Sequence, residues 1–249
     1  MNDKELSGKV AVVTGSGRNI GRAIALSLAA GGATVVVNAR SNKAEADAVV
    51  TEIEAPGGKA VAVMGDVADP TTAKNLAAAA QKLGRLDFLI NNAAVRKETP
   101  LEKITFEEWR QVNGIILDGA FHCVQACVPL LRKSGAGAIV NIGGMSAHGG
   151  SKHRIHVLTA KSALVGFTKA LAHDLAEDHV TVNYLSPGLI NTARDPNAPE
   201  PQHHAVQKTL TGARGRPDDI ASVVRFLCGP GARYITGQTI HANGGAYLP

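Results

Sequence analysis

The stretch Val10-Ala11-Val12-Val13-Thr14-Gly15-Ser16-Gly17-Arg18-Asn19-Ile20-Gly21 decides how this chain folds. Four apolar residues in a row, three of them β-branched, fit a strand buried on both faces, where consecutive rather than alternating positions are apolar. Three glycines within the next eight residues allow a tight turn. The Ala/Leu-rich run from Ile20 to Ala30 then reads as a helix that stops at Gly31-Gly32. A strand that feeds a helix through such a turn lets backbone N–H groups approach a pyrophosphate at the positive end of the helix. Gly15, Ser16, Gly17, Arg18, Asn19, Ile20 and Gly21 are therefore the candidate phosphate cradle.

A glycine-rich turn by itself is weak, and its setting gives it weight. Short apolar runs recur at Thr34–Val37, Ala60–Met64, Phe88–Asn91, Ala138–Ile142, Val180–Leu185 and Gln238–His241. Helical stretches separate them. Ser41 opens Lys43–Glu54, which Pro56-Gly57-Gly58 closes, and Asp69-Pro70 sets an N-cap and a first-turn proline ahead of Thr71–Leu83. Thr105 and Glu108 have capping-box spacing before Trp109. Further helices are predicted over Asp118–Lys133, over Leu158–Glu177 and from Pro217 through Leu227. Strand–helix alternation with right-handed crossovers predicts one α/β domain over residues 1–249. It is a Rossmann-type doubly wound sheet of about seven parallel strands flanked by helices on both faces. The ligand crevice of such a sheet lies at the C-terminal ends of its strands. Residues 189–212, with Pro196, Pro199 and Pro201, read as a long irregular substrate loop.

Composition narrows the function. The 249 residues are 45% apolar and 19% charged, which excludes a disordered chain and permits a full core. A net charge of +5, spread along the chain, argues against nucleic acid as a partner and leaves a small-molecule substrate. Met1–Gly8 is charged, and the longest uncharged stretch, Ala23–Ala39, is broken by Gly31-Gly32. These features predict no leader, no membrane span and a cytoplasmic location. Three cysteines give no disulfide framework. Cys123 and Cys127, four apart on a helical pattern, read as a buried reduced pair rather than a metal site, so no metal is expected.

The second strand should end near Asn38-Ala39-Arg40. Dinucleotide folds that take NAD place an acidic residue there for the adenosine ribose hydroxyls. This chain has Ala39 and then Arg40, with Arg18 facing them from the turn. A carboxylate would repel the extra phosphate of NADP, whereas two guanidinium groups pair with it. The expected cofactor is NADP.

Here the chain resembles the short-chain dehydrogenase/reductase family, over essentially its whole length. The resemblance rests on the turn, on Asp66-Val67 after the third strand, and on Asn91-Asn92-Ala93-Ala94 after the fourth. It continues through Lys161-Ser162-Ala163-Leu164, Asn183 with Ser186-Pro187-Gly188, Gly215-Arg216-Pro217-Asp218-Asp219-Ile220, and Thr236-Gly237-Gln238 with Asn243-Gly244-Gly245. It implies that Asp66 and Val67 contact the adenine, and that Asn38, Asn92, Ala93 and Ala94 border the cofactor. By the same likeness Lys161, Pro187, Gly188 and Ile190 lie along the nicotinamide half, and Asn113 stands where the family's catalytic asparagine holds a proton-relay water. The general look is that of the 3-oxoacyl-carrier-protein-reductase-like branch, mostly NADP-dependent homotetramers.

The departures bear on chemistry. The middle glycine of the turn is Asn19, the residue type most tolerant of positive φ after glycine. The family's tyrosine, four residues before the lysine, is here Val157, and its serine, thirteen residues earlier, is Gly144. Reducing a carbonyl builds an alkoxide that needs a proton donor within reach. Losing the general acid costs about 10²–10⁴-fold, and losing an oxyanion donor costs a similar factor. The segment 146–156 is rich in substitutes. Ser146 lies two residues past the serine position, and His148 follows it. Upstream continuation of the helix would align His153 with Val157 and Lys161, while His156 adjoins Val157. Ser146, His153 and His156 therefore join Asn113 and Lys161 as catalytic candidates. Lys152, Arg154, Arg96 and Lys97 give the region positive character that suits an anionic substrate. The readings left open are an NADP(H)-dependent oxidoreductase with an unusual proton donor, a lyase or isomerase using histidine acid/base chemistry, and a cofactor-binding protein without catalysis. A carbonyl, an imine or an activated alkene would suit the first.

Overall fold

The computed structural model describes residues 4–193 and 208–249. Seven strands form one sheet: β1 (Val10–Val13), β2 (Thr34–Ala39), β3 (Lys59–Met64), β4 (Phe88–Asn91), β5 (Ala138–Ile142), β6 (Thr181–Pro187) and β7 (Thr239–Ala242). Their order is β3-β2-β1-β4-β5-β6-β7 and every pairing is parallel. The order reverses between β1 and β4, so the crevice of a doubly wound sheet opens above these two strands. The central strands β1, β4 and β5 are buried at every position, as their unbroken apolar runs require.

Among the described residues the α-helices are α1 (Asn19–Ala30), α2 (Lys43–Glu54), α3 (Pro70–Lys82), α4 (Phe106–Asn113), α5 (Gly119–Leu131), α6 (Ser146–Gly149), α7 (Ile155–Asp174) and α8 (Pro217–Cys228). One core joins α1, α2 and α8 to the sheet, through residues such as Ile24, Leu28, Val49 and Val224. A second, with Leu76, Cys123, Cys127 and Leu131, joins α3 and α5 to the other face. Asp69 caps α3, accepting from the Thr71 N–H at 2.8 Å with Pro70 at the first helical position.

Several expected boundaries shift. The cap of α2 is Asn42, whose side chain accepts from the Glu45 N–H at 3.2 Å, rather than Ser41. The Thr105 hydroxyl accepts from the Glu108 N–H, but the Glu108 carboxylate turns to Thr99 and Lys97 and leaves the box half made. The helix predicted from Asp118 is the second half of a longer run. A π-helical segment, Gly114–Asp118, joins α4 to α5 without a break. That run, 106–134, is long and apolar enough by composition to cross a membrane, yet α5 packs its Cys123, Cys127 and Leu131 into the core beside the sheet. Both cysteines are reduced, and burial pushes the Cys123 thiol up to about 12. Finally, α7 begins at Ile155 rather than Leu158, which changes the face that each neighbouring residue presents.

Candidate active site

The crevice above the C-terminal edge of the sheet encloses about 1080 Å³. Its floor begins at the turn after β1. Buried Thr14 accepts at Oγ1 from the N–H groups of Asn92 and Ala93, at 2.9 and 3.0 Å, and Asn92 Nδ2 donates to the carbonyls of Thr14 and Gly15. The segment after β4 is thereby strapped to the turn. Asn38 does the same from β2. Its Oδ1 accepts from the Gly15 N–H at 3.1 Å, and its Nδ2 donates to the carbonyls of Val63 and Gly65. Ser16 lies beneath the turn, donating to the Val13 carbonyl at 2.7 Å and accepting from the Asn38 N–H. It supports the cradle without lining it.

Above these supports, Gly15, Gly17, Arg18, Asn19, Ile20 and Gly21 line the crevice. Asn19 has φ 52°, and its side chain makes a two-way bond with the Ala193 backbone, at 2.8 and 3.2 Å. At Gly21 a Cβ would stand 2.2 Å from the Gly15 carbonyl oxygen, so only glycine allows this approach of helix to strand. The first turn of α1 carries no acidic residue, and Arg18 makes no side-chain cap. Its N–H groups thus keep the positive end of the helix open to an anion. The donors fit a dinucleotide pyrophosphate.

Farther along, Asn38, Arg40, Asp66, Val67, Asn92, Ala93 and Ala94 line one half, with Pro187, Gly188, Ile190 and Lys161 on the other. Exposed Arg18 and Arg40 flank the end near Ala39, and Glu45 adds a carboxylate there that the sequence reading did not single out. Asp66 turns one oxygen to the Ala68 N–H at 3.0 Å.

At the opposite end, Lys161 donates to the Gly143 carbonyl at 2.5 Å. Burial, with the charges of Arg96 and Arg154, holds its ammonium down to about 7. Gly144 lies alongside, and a Cβ there would meet Lys161 Nζ at an ordinary 3.5 Å. Arg154, Leu158 and Lys161, at helical spacing, form the face of α7 that lines the crevice. Val157 and Ala160 face the other way, in a buried cluster with Val112, Leu164 and Tyr184. Tyr184 on β6 presses its ring against Gly143, where a Cβ would be 1.8 Å from Cζ, and its hydroxyl accepts from the Gly144 N–H at 3.2 Å. Burial pushes this phenol up to about 12.

The other catalytic candidates do not converge here. Asn113 ends α4 at the start of the π-helical segment, where its amide donates to the Trp109 carbonyl at 2.8 Å. His153 is exposed, with φ 59°, and gives only its carbonyl to the Thr99 N–H. His156 is buried behind α7, with Nε2 3.0 Å from Glu108 Oε1. His148 stacks edge-on against His241 and Tyr184 under the crevice floor. The expected crevice histidine is thus not found, because α7 starts at Ile155 and turns His156 inward with Val157. Ser146 does line the crevice, and its Oγ accepts from Arg154 Nη1 at 3.5 Å. Of the expected substrate loop, residues 194–207 lie outside the described residues. Its two ends are pinned by the Ile190–Gly215 bridge and by the Leu210 N–H bond to the Gly244 carbonyl.

The family described as enoyl-(acyl carrier protein) reductase matches residues 15–247. A 3-oxoacyl-[acyl-carrier-protein] reductase from Synechocystis is 40% identical over 98% of each chain. An uncharacterised oxidoreductase from Methylorubrum extorquens is 41% identical over 97% of this chain and 98% of its own. Among solved structures, a short-chain dehydrogenase from Burkholderia cenocepacia in complex with NADP is 35% identical, with a TM-score of 0.90 over 97% of this chain and 99% of its own. A blue fluorescent protein from a metagenomic library in complex with NADPH is 36% identical, with a TM-score of 0.91 over 98% of this chain and all of its own. By these matches over nearly its whole length, the chain belongs to the short-chain dehydrogenase/reductase family of oxidoreductases.

Proposed function

We propose that the chain is an NADP(H)-dependent oxidoreductase whose proton donor is not the family's serine–tyrosine pair, acting on a small carbonyl, an imine or an activated alkene. The observation that carries this reading is a crevice open from Arg18 and Arg40 at one end to Lys161 and Gly144 at the other; the family resemblance sets Gly144 and Val157 at the two donor positions, and Val157 packs away from the crevice. The turn and the first turn of α1 hold the pyrophosphate, Arg18 and Arg40 the additional phosphate, and Lys161 the nicotinamide ribose. NADP bound in the NADP and NADPH neighbours supports the same choice. The cofactor, when bound, supplies or accepts the hydride. The chain orients the acceptor and handles charge at its heteroatom. Lys161, with an ammonium that gives up its proton near neutral pH, serves as proton source, and Ser146 and Arg154 stabilise negative charge. Substrates that arrive activated, such as iminium ions, need less help from an acid. The active unit we propose is a homotetramer.

Fluorescence titration with NADPH and NADH, followed by NADPH consumption on matched ketones, imines and enones, tests this reading. NADPH is expected to bind the more tightly, and Arg40→Ala to weaken NADPH about tenfold while barely changing NADH. Simple ketones are expected to react poorly and activated acceptors in a Lys161-dependent way. Equal affinity for the two cofactors, or efficient reduction of simple ketones, would overturn the respective half of the proposal.

A further inference from the structure

We infer that Glu45 is a further cofactor-selecting residue that works against Arg18 and Arg40. Its carboxylate accepts from the ribose 2′-hydroxyl of NAD(H) and repels the 2′-phosphate of NADP(H), so the crevice admits both cofactors and favours NADP(H) by less than the two arginines alone would set. This rests on the NADP(H) reading of the crevice and adds to it a residue and a direction.

The strand β2 ends at Ala39, which has no carboxylate to offer at the place where a fold that takes NAD holds one. Glu45 brings a carboxylate back to that place from the next element. It is the one acidic residue in the first turn of α2, and it is partly buried while residues 41–44 before it are exposed. Asn42 Oδ1 accepts from its main-chain N–H at 3.2 Å and fixes the start of the helix. The side chain lies against the glycine turn. A Cβ on Gly17 would stand 3.3 Å from Glu45 Cβ, 3.4 Å from Ala39 Cβ and 3.6 Å from Glu45 Oε2. The carboxylate thus sits on the seam between the turn and the end of β2, in the wall that Arg18 and Arg40 share. Lys43, the cation nearest in sequence, is engaged by Asp47 at 2.5 Å. Among the described residues no lysine or arginine pairs with Glu45.

An ionised carboxylate only accepts hydrogen bonds. A ribose hydroxyl has a proton to give it. A phosphate monoester carries about 1.5–2 negative charges near neutral pH and presents acceptor oxygens, so the same carboxylate repels it. Glu45 therefore acts with opposite sign on the two cofactors. Its repulsion of the pyrophosphate is common to both and cancels from their ratio. Arg18 and Arg40 pull the other way, by pairing with the additional phosphate. The preference that the protein shows is the difference between these effects.

The test is the dissociation constant of NADPH and of NADH, read from nicotinamide fluorescence, for the full unaltered chain, Glu45→Gln, Glu45→Ala and Arg40→Ala. Glu45→Gln keeps the length of the side chain and removes its charge. It is expected to tighten NADPH and to raise the preference for NADPH over NADH by about five- to tenfold. In about 0.5 M salt the gain should shrink, because the repulsion is screened. Glu45→Ala also removes the acceptor, so it should raise the same preference partly by weakening NADH, and it makes the comparison should Glu45→Gln fail to fold. A preference that stays the same or falls in both variants overturns the role of Glu45. Equal losses for the two cofactors count as the same preference, and would mean that α2 merely packs on the turn. The NADP(H) reading fails separately. It is lost if the unaltered protein binds NADPH no more tightly than NADH and Arg40→Ala changes neither, whereas an Arg40-dependent preference that is flat in the Glu45 variants defeats only the role of Glu45. Binding of neither cofactor overturns both.

Discussion

Lys161 is a partly buried amine under the influence of the Arg96 and Arg154 charges, and its proton is held less firmly than an ordinary lysine's. The consequence for stability has a definite sign. In the unfolded chain the side chain titrates near 10.5, and in the folded protein at about 7. Between these values the unfolded chain holds the proton that the folded one has released, so the contribution of Lys161 to the stability of the cofactor-free protein rises with pH from about 7 to about 10.5. Lys161→Met abolishes this titration and leaves the others in place. The melting temperature of the unaltered protein minus that of Lys161→Met should therefore increase across the window, as thermal unfolding at a series of pH values would show. A flat difference would mean that Lys161 is an ordinary solvated lysine. At this scale the sequence was informative wherever a residue's role follows from its place in a turn. Gly15, Gly17 and Asn19 were expected in the turn after the first strand, and they line the crevice there. It was misleading where the role depends on direction. His153 and His156 adjoin the reacting region in sequence yet leave it in space, while Arg154, noted only for its charge, faces into it.

Among the elements, α7 shows why direction was hidden. Its residues have an apolar or polar choice at nearly every phase, so periodicity alone does not fix which face meets the sheet. The phase is set by Tyr184, a side chain from β6 that fills the space beneath Val157 and Ala160. A large residue on the strand and a small one on the helix exchange volumes, a long-range arrangement that no local pattern reveals. This bears on restoring the family's donor pair. Gly144→Ser has room, with its Cβ at ordinary contact from Lys161. Val157→Tyr places a second aromatic ring in a cluster that Tyr184 already fills, and overpacking of this kind costs about 1–3 kcal/mol. The double variant Gly144→Ser/Val157→Tyr should therefore melt lower than the unaltered protein. Adding Tyr184→Ala should recover the stability and give a protein that reduces simple activated ketones faster than any of the single variants. Serine and phenol act on the same developing charge, so their effects should exceed the sum of the separate gains. A well-folded triple variant that binds NADPH and shows no such gain would mean that Gly144 and Val157 do not mark the donor positions.

For the whole molecule, the sheet was the most legible feature because its strands announce themselves by unbroken apolar runs, and β4 and β5 fall where those runs begin and end. The joining of α4 to α5 was not legible. A π-helical segment leaves no composition signal of its own, and Gly114, where it begins, is a poor helix former. The resulting run leaves Phe121 47% exposed, while Ala126, Val128 and Leu130, like Val165, Phe167 and Leu171 of α7, pack partly against the cores and keep only part of their surface open. A single copy of the chain leaves Phe121 and the open parts of the others in water, at a cost that grows with the contiguous apolar area. In the homotetramer we propose, each of the two helices packs across a two-fold on its own counterpart, and two such contacts on one chain close the assembly. Light scattering at micromolar concentration should then give a mass four times that of the 25.8 kDa chain. Phe121→Glu, which brings like charges together across the two-fold, should reduce this to dimers that still bind NADPH, since Phe121 lies outside the crevice. A monomeric mass for the unaltered protein would overturn the homotetramer.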